Sequence, residues 1–259
     1  MVETAYDIPG APGLALLADL HARPSQPVVD SLKRRRPGMI CIAGDILDAS
    51  RPMGGMSPLA AQPAVLPFLE QCAAIAPAYL ALGNHERWLN DGDLETLRGT
   101  GVTVLDNTWT ERDGLVIGGL TSGACMKYRR FKASLPETVT KRYPTLKDPE
   151  AWSDEPDTSW LAGFAAVPGY HLLLCHHPEY FPLVPEGVEL VLSGHAHGGQ
   201  WRFYNVFRRQ WQGVFAPGQG LWPKYTKGIY EGRLVVSAGL ANTASPVPRI
   251  LNPAEVVYV

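Results

Sequence analysis

Residues able to bind metal ions follow five separate apolar runs of this 259-residue sequence. They are Asp19 and His21, Asp45 and Asp48, Asn84 with His85 and Glu86, His176 and His177, and His195 and His197. Imidazole nitrogens mixed with carboxylate and amide oxygens, without a thiolate, suit manganese, iron, zinc or cobalt. Two such cations about 3.5–4 Å apart can share a carboxylate, activate a water molecule and stabilise attack on a phosphate ester. The residue types therefore indicate metal-assisted hydrolysis.

The apolar runs before these residues have the length and character of buried strands. They lie in the stretches GLALLADLH, MICIAGDILD, AYLALGNHE, HLLLCHHP and GVELVLSGHAH. Helical segments are predicted between the first of them, at residues 28–36 and 59–75. Alternating strands and helices predict a layered α/β fold with buried strands. Because ligands of such sheets bind outside the carboxyl ends of the strands, we expect the polar residues to converge at one edge.

The order of the five groups resembles a family pattern. The sequence contains D-x-H, G-D-x-x-D, G-N-H-E, a histidine before x-Pro, and G-H-x-H, in that order from Asp19 to His197. This set resembles the calcineurin-like metallophosphoesterases, and GHAHGGQ with YTKGIYEG resembles their bacterial branch of small phosphohydrolases and phosphodiesterases. The resemblance implies a two-sheet β-sandwich flanked by helices, with the active site at the carboxyl ends of the strands.

The resemblance also implies a set of ligands for each of two divalent metal ions. Asp19, His21 and His197 would hold the first ion, Asn84, His176 and His195 would hold the second, and Asp45 would bridge the two. Manganese is the preferred expectation, with iron, zinc or cobalt as alternatives.

We also expect particular roles for four residues that lie close to these ligands in the sequence. His85 would face the substrate, where it protonates the leaving group or stabilises the phosphate. Asp48 and Glu86 would orient histidines, although a plain capping or turn role is the alternative for Asp48. His177 is expected to be an ordinary polar residue at a strand end rather than a ligand, because the histidine before x-Pro is His176.

Two stretches of the sequence differ from the strand-and-helix pattern. Residues 123–158 are polar and interrupted by prolines, and we predict a long lid-like loop there. Within it, Arg129 and Arg130 are candidate substrate-binding residues that could clamp a phosphate; a solvated loop is the alternative. Residues 201–228 are rich in aromatic, glycine and basic residues and are also predicted to be loops.

The predicted function is metal-dependent hydrolysis of a phosphodiester, pyrophosphate or phosphomonoester, by in-line attack of a metal-bound hydroxide. The whole chain, 1–259, is predicted to be a single domain. A non-catalytic scaffold of the same fold is the alternative, but such a scaffold would have lost ligands, and all seven are present with His85. A nuclease is the other alternative; it would have a long basic, aromatic-lined groove. The formal net charge of −2 does not favour one.

Composition limits the class of protein and its compartment. With 46% apolar and 19% charged residues, the chain has the composition of a soluble globular protein. The cysteines have no metal-type spacing, and Cys41 and Cys175 lie in apolar runs, which predicts buried thiols in a reducing compartment. No basic region followed by an apolar stretch opens the sequence, and no run reaches the ~20 apolar residues of a membrane span. We therefore expect a cytoplasmic enzyme with a small-molecule phosphoester substrate, no nucleic-acid partner and no transmembrane segment.

Overall fold

Two six-stranded sheets and two short hairpins form the β-structure of this computed structural model, which describes residues 1–48, 56–138, 155–207, 209–242 and 247–259. In chain order the strands are β1 Val2–Ala5, β2 Leu14–Leu17, β3 Met39–Ile42, β4 Ala78–Ala81, β5 Thr103–Leu105, β6 Thr108–Arg112, β7 Leu115–Leu120, β8 Tyr170–Cys175, β9 Leu190–Ser193, β10 Arg202–Asn205, β11 Gln210–Gly213, β12 Phe215–Ala216, β13 Gly220–Leu221, β14 Gly228–Tyr230, β15 Leu234–Val236 and β16 Glu255–Tyr258. The α-helices are α1 Gln26–Arg35, α2 Pro58–Ala61, α3 Val65–Ile75, α4 Asp91–Gly99, α5 Gly123–Ala133 and α6 Leu161–Ala165. Short 3₁₀ helices cover Asn84–Trp88, Pro178–Leu183 and His197–Gly199.

The two sheets have related strand orders with parallel strands at their centres. The first sheet has the order β1-β16-β2-β3-β4-β5, and the second has the order β14-β15-β9-β8-β7-β6. In the first sheet β2, β3, β4 and β5 are parallel neighbours. In the second sheet β7, β8, β9 and β15 are parallel neighbours. Parallel central strands place several carboxyl ends side by side in each sheet.

Alternation of side chains along the strands builds a core on each face. Leu14 and Leu16 of β2 pack with Leu190 and Leu192 of β9 in a cluster shared by both sheets. Ala15 and Leu17 of β2 face the other way and pack with residues of α1, α3 and α4. A third cluster lies between the second sheet and α6, where Phe164 is fully buried. The predicted two-sheet sandwich flanked by helices is confirmed, while the single-domain assignment stays a prediction.

Most of the predicted elements are also confirmed. The five apolar runs form β2, β3, β4, β8 and β9. The segment 59–75 is helical but is divided into α2 and α3 around Pro63, and Pro67 lies in the first turn of α3, where a missing N–H costs nothing. Among the described residues, no helix combines the length and the apolar character needed to cross a bilayer.

The prediction of a loop beginning at residue 123 is wrong for its first part. Residues Gly123–Ala133 form α5, which Ser122 caps by accepting a hydrogen bond from the Ala124 N–H. Cys125 and Tyr128 are buried on one face of this helix, and its polar composition concealed that narrow face. Residues 139–154 of the predicted lid lie outside the described residues. The segment 201–228 is not a set of loops either, because it contains the hairpins β10–β11 and β12–β13.

Candidate metal centre

The seven candidate metal ligands follow the carboxyl ends of buried strands from both sheets. Asp19 and His21 follow β2, Asp45 follows β3, Asn84 follows β4, His176 follows β8, and His195 and His197 follow β9. Because the two sheets share one core, these strand ends meet at one edge of the sandwich. All seven side chains are buried there.

An unusual backbone conformation positions most of the candidate ligands. Five of them have positive φ angles: Asp19 at 54°, His21 at 48°, Asp45 at 53°, His195 at 63° and His197 at 45°. A residue with a side chain pays about 1–3 kcal/mol for such a conformation, which persists when the surrounding structure enforces it and is concentrated at functional sites. The left-handed residues bend the chain sharply where each strand ends. Their side chains are therefore buried at the sheet edge and do not extend into solvent.

Asp19, His21 and His197 form the first group. Their potential ligand atoms all lie within 4.8 Å of one another. The Nε2 atoms of His21 and His197 lie 3.8 Å and 3.7 Å from Oδ1 of Asp19. Ligands that are each about 2 Å from one ion are separated by distances of this order. The Asp19 carboxylate also accepts the backbone N–H of His195 at 3.1 Å, which ties this group to the second.

Asp45, His176 and His195 form the second group, again with potential ligand atoms within 4.8 Å. Nε2 of His176 lies 3.1 Å from Oδ2 of Asp45. The other carboxylate oxygen, Oδ1, accepts the backbone N–H of His85 at 2.9 Å. Gly83 lies so close to the Asp45 carboxylate that a side chain at that position would overlap it. The glycine of G-N-H-E therefore makes room for the acid expected to bridge the ions.

Unpaired polar atoms test whether these side chains fit metal ions. Nε2 of His21 and Oδ1 of Asn84 are buried and make no hydrogen bond to any described residue. Each such atom costs about 1–3 kcal/mol unless a partner compensates it. Nδ1 of His176 lies 2.6 Å from the Ala43 carbonyl, so Nδ1–H donates there and Nε2 is the ring nitrogen directed toward Asp45. The donor set therefore fits divalent cations.

Burial controls the protonation of the first group and of His195. Burial, with a smaller effect from the charge of Asp45, raises the pKa of Asp19 to about 7. Burial lowers the pKa of His21 to about 3 and holds the pKa values of His195 and His197 well below the usual range. Those imidazoles are neutral at physiological pH, which is the form that binds a metal ion.

Asp45 and His176 behave as an ion pair. Burial alone would raise the pKa of the Asp45 carboxyl, but the charges of His176 and His85 hold it well below its usual range. Burial alone would lower the pKa of His176, but the Asp45 carboxylate raises it to about 10. A cation at Nε2 of His176 has to replace that proton, so binding there releases a proton.

His85 lies between the two groups without belonging to either predicted ligand set. Its Nδ1 is 3.1 Å from the Leu47 carbonyl, so Nδ1–H donates and Nε2 is directed toward Asp45, 3.6 Å from Oδ2. Nδ1 of His21 also lies 3.1 Å from Nδ1 of His85. Asp48 has a carboxylate within reach of the rings of His21 and His85. The orienting role of Asp48 stays a prediction.

The expectation for Glu86 is corrected by its hydrogen bonds. Its carboxylate accepts the backbone N–H groups of Asp45 at 2.8 Å, Leu47 at 3.0 Å and Gly83 at 2.8 Å. Glu86 therefore fixes the backbone of the loops that carry Asp45 and Asn84, and it does not hydrogen-bond a histidine ring. The three N–H donors of these sharp turns need an acceptor away from water, which explains a buried carboxylate at this position.

Glu179 is a site residue that the sequence did not reveal. It lies just beyond His177, and its Oε1 is 3.1 Å from Nδ1 of that ring, which also contacts Ser122 through Nε2 at 2.8 Å. The same Oε1 is 3.6 Å from Nε2 of His195, a buried atom that makes no hydrogen bond to the described residues. A small rotation of Glu179 would complete that hydrogen bond and orient Nδ1 of His195 toward a metal ion. His177 thus contacts Glu179, and together with His195 these residues form a further group whose potential ligand atoms lie within 4.8 Å of one another; the exclusion of His177 from the ligand set stays a prediction.

We expect Glu179→Ala to weaken binding of the second metal ion by about 10–100-fold, the usual cost of losing the carboxylate behind a ligand histidine. Calorimetric titration of the metal-free protein with Mn²⁺ measures the change, and Glu179→Gln should restore part of it. Glu189→Ala is the matched control, because Glu189 contacts His171 at 3.1 Å at the opposite ends of β8 and β9. Equal effects of the two alanine variants would contradict an orienting role.

Arg249 is a second residue that the sequence did not reveal. Its Nη2 lies 3.1 Å from Nδ1 of His197 and 2.6 Å from the Ala241 carbonyl. A guanidinium only donates, so Nδ1 of His197 is an acceptor in this contact. The neutral ring then carries its proton on Nε2, and a cation at that atom requires the Arg249 contact to change. No motif marks Arg249, which follows His197 by 52 positions.

One of the two arginines predicted to bind phosphate already forms a salt bridge within the protein. Arg129 forms a two-pronged salt bridge with Asp106, with distances of 3.0 Å and 2.8 Å. Asp106 also accepts a hydrogen bond from the Thr121 hydroxyl. Arg130 lies on the exposed side of α5. Substrate binding by these arginines stays a prediction.

Comparison with known proteins places this geometry in a family. The calcineurin-like phosphoesterase family matches residues 14–199. An uncharacterized metallophosphoesterase of Aquifex aeolicus is 29% identical over 236 residues, covering 88% of this chain and 74% of that protein. Phosphodiesterase YaeI of Escherichia coli is 28% identical over 208 residues, covering 73% of this chain and 62% of that protein. A dimetal phosphatase from Danio rerio has a TM-score of 0.44 at 15% identity, covering 75% of this chain and 84% of that one.

The fold and the buried ligand groups define a metal-dependent hydrolase with candidate metal-binding groups at the sheet edge. The chain belongs to the calcineurin-like phosphoesterase family, whose match includes all five predicted motifs. The predicted family and reaction class are thereby confirmed.

Proposed function

We propose that this protein hydrolyses a phosphodiester or pyrophosphate bond in a small-molecule substrate, with two divalent cations, manganese by preference, held by the seven candidate ligands. The observation that carries the proposal is the pair of buried atoms on His21 and Asn84 that lack a hydrogen-bond partner among the described residues, together with the two buried groups Asp19–His21–His197 and Asp45–His176–His195. The name of the relative YaeI supports the diester preference. A cytoplasmic location and the absence of a nucleic-acid partner stay predictions.

The proposed reaction divides the work between the cations and the side chains. When bound, two cations supply a nucleophile from water at neutral pH and offset the charge of the phosphate. Asp45 holds the two groups together, because its Oδ2 faces His176 while its backbone carbonyl accepts the N–H of His21 at 3.0 Å. Nε2 of His85 can hold a proton for the leaving oxygen, because the Leu47 carbonyl fixes the other nitrogen as a donor. Glu86 fixes the loops that carry Asp45 and Asn84, because its carboxylate accepts the backbone N–H groups of Asp45 and Gly83.

A substrate panel tests the proposal. The Mn²⁺-reconstituted protein is assayed on nucleotide diesters, sugar-nucleotide pyrophosphates, glycerophosphodiesters and simple monoesters, before and after chelation. We expect diesters or pyrophosphates to give the highest kcat/KM, and chelation to abolish the activity reversibly. A protein that retains two ions yet hydrolyses none of these esters would be a scaffold. Preferential cleavage of oligonucleotides would identify a nuclease.

The clamp proposed for Arg129 and Arg130 predicts an effect that depends on substrate size. Arg129→Ala with Arg130→Ala should raise KM for a bulky natural diester by about tenfold or more, the value of a charge-assisted hydrogen bond to phosphate. Small nitrophenyl esters, which cannot reach the clamp, should be affected much less. Steady-state kinetics on both substrates measure the difference.

Asp106→Asn is the matched control for the clamp, because it removes the partner of Arg129 and keeps the guanidinium. If the arginine only stabilises the fold, Asp106→Asn and Arg129→Ala should lower Tm alike and leave both KM values unchanged. If the clamp exists, Asp106→Asn should not raise KM for the bulky diester.

A further inference from the structure

The hairpin β10–β11 carries large apolar side chains into solvent at its tip. Phe207 is 95% exposed and Val206 is 67% exposed. Behind the tip, Tyr204 and Trp211 face each other across the two strands with ring centroids 5.9 Å apart, and both rings are about half exposed. Exposed apolar residues grouped in this way mark a surface that contacts another body.

The sequence segment that contains the hairpin carries side-chain charges of one sign only. Residues 190–230 contain no aspartate or glutamate but contain Arg202, Arg208, Arg209, Lys224 and Lys227. Three of these are used internally, since Lys224 and Lys227 pair with Glu231 and Glu255 and Arg202 is buried against the Gly198 carbonyl. Arg209 makes no ion pair with any described residue. Arg209 is exposed in the turn of the hairpin, two positions after Phe207, so its charge is available to an external anion.

We propose that this hairpin docks the protein on an anionic phospholipid bilayer, with Val206 and Phe207 inserted among the lipid headgroups and Arg209 against lipid phosphates. Aromatic side chains are favoured at the membrane interface, and each basic side chain near an anionic surface adds attraction. Tyr204 and Trp211, which combine an apolar ring with a polar atom, suit the headgroup level behind the tip. Insertion of a tip requires no membrane-spanning segment.

A projecting tip distinguishes a bilayer from a nucleic acid as the partner. Proteins that bind single strands stack bases on aromatic rings in a positively charged groove. Here the exposed apolar residues of the tip, Val206 and Phe207, stand at the end of a two-stranded ribbon, and an aliphatic side chain provides no stacking surface. The chemistry of the tip therefore favours insertion into an apolar layer over stacking.

The hairpin is fixed to the turn that carries His197. The N–H of Val214, just after β11, donates to the Gly199 carbonyl at 3.0 Å, and Arg202 at the start of β10 donates to the Gly198 carbonyl at 2.8 Å. A bilayer contact at the tip thus holds the metal centre at a defined distance from the lipid surface. The consequence that the substrate is membrane-associated rests on the proposed function, whereas the docking itself does not.

Vesicle sedimentation of the 259-residue protein tests the docking without using activity. The probes are phosphatidylcholine vesicles with and without phosphatidylglycerol, at low and high salt. We expect sedimentation with the anionic vesicles, weakened by salt. Val206→Ser with Phe207→Ser should weaken it by about tenfold or more, and Arg209→Gln by about fivefold. Met56→Ser is the matched control, because Met56 is 52% exposed and precedes α2, on the helical layer of the first sheet.

Several results would overturn the proposal. One is no sedimentation with anionic vesicles, and another is an equal loss in the Met56 and hairpin variants. Oligonucleotide binding that depends on Arg209, in a protein that ignores vesicles, would assign the tip to nucleic acid. A dimer in analytical ultracentrifugation that the hairpin variant alone dissociates, again without vesicle binding, would assign it to a second copy of the chain. Retained phosphoesterase activity in the hairpin variant separates a failure of docking from a failure of the proposed function.

Discussion

Asp45→Asn is expected to lose at least one of the two metal ions and nearly all hydrolase activity. The substitution keeps the shape of the side chain, and its amide oxygen can still accept the His85 N–H that Oδ1 now accepts at 2.9 Å. It removes the negative charge that faces His176 at 3.1 Å and that is expected to lie between two cations. Without that charge the two ions repel each other across the centre with no bridging anion. The loss should exceed the roughly 10–100-fold cost of removing an outer partner such as Glu179.

Elemental analysis and kcat/KM on the same preparation measure the effect of Asp45→Asn. The control is Asp30→Asn, an exposed carboxylate of α1 that accepts a hydrogen bond from Gln26 at 2.8 Å. It should retain two ions and full activity. Two bound ions and wild-type turnover in Asp45→Asn would remove Asp45 from its bridging role.

The sequence predicted the central strands and the ligand edge because both depend on local signals. An apolar run of four to six residues that ends abruptly in Asp, Asn or His shows the strand and its functional end together, as β9 and His195 do. Parallel pairing of such strands then brings their ends to one edge without further information. The left-handed conformations of His195 and His197 were not visible in this way, although the neighbouring glycines indicated a sharp turn.

The residues that the sequence missed are defined by contacts across the fold. Arg249 reaches His197 only after the chain has formed two hairpins and the strands β14 and β15, so no spacing connects the two. Glu179 stands next to the H-H-P motif, but its significance depends on the ring of His195, which another strand supplies. The role of Glu86 was misjudged for the same reason, since a carboxylate beside histidines is more often their partner than an acceptor for backbone N–H groups. Helix α5 was missed because only a narrow face of it is buried.

His85→Ala should retain both metal ions and yet lose most activity on alkyl phosphoesters. The cations assist the attack without a proton from this ring, whereas a departing alkoxide needs one because a simple alcohol has a pKa far above neutral. A positioned imidazole that donates this proton contributes about 10²–10⁴-fold. A nitrophenolate leaves readily without protonation, so activity on nitrophenyl esters should fall much less. Comparison of kcat/KM for the two leaving groups, in the wild type and the variant, measures this difference.

Metal content decides between the roles open to His85. Its ring is buried and lies 3.1 Å from that of the candidate ligand His21, so a loss of metal in His85→Ala would show that it supports or binds an ion. If both ions remain and the two leaving groups suffer equally, His85 stabilises the charge of the phosphate and is not the acid. Only retention of both ions with a loss selective for the alkyl ester supports proton donation, because charge stabilisation at the phosphate is needed by both esters, whereas a proton is needed by one.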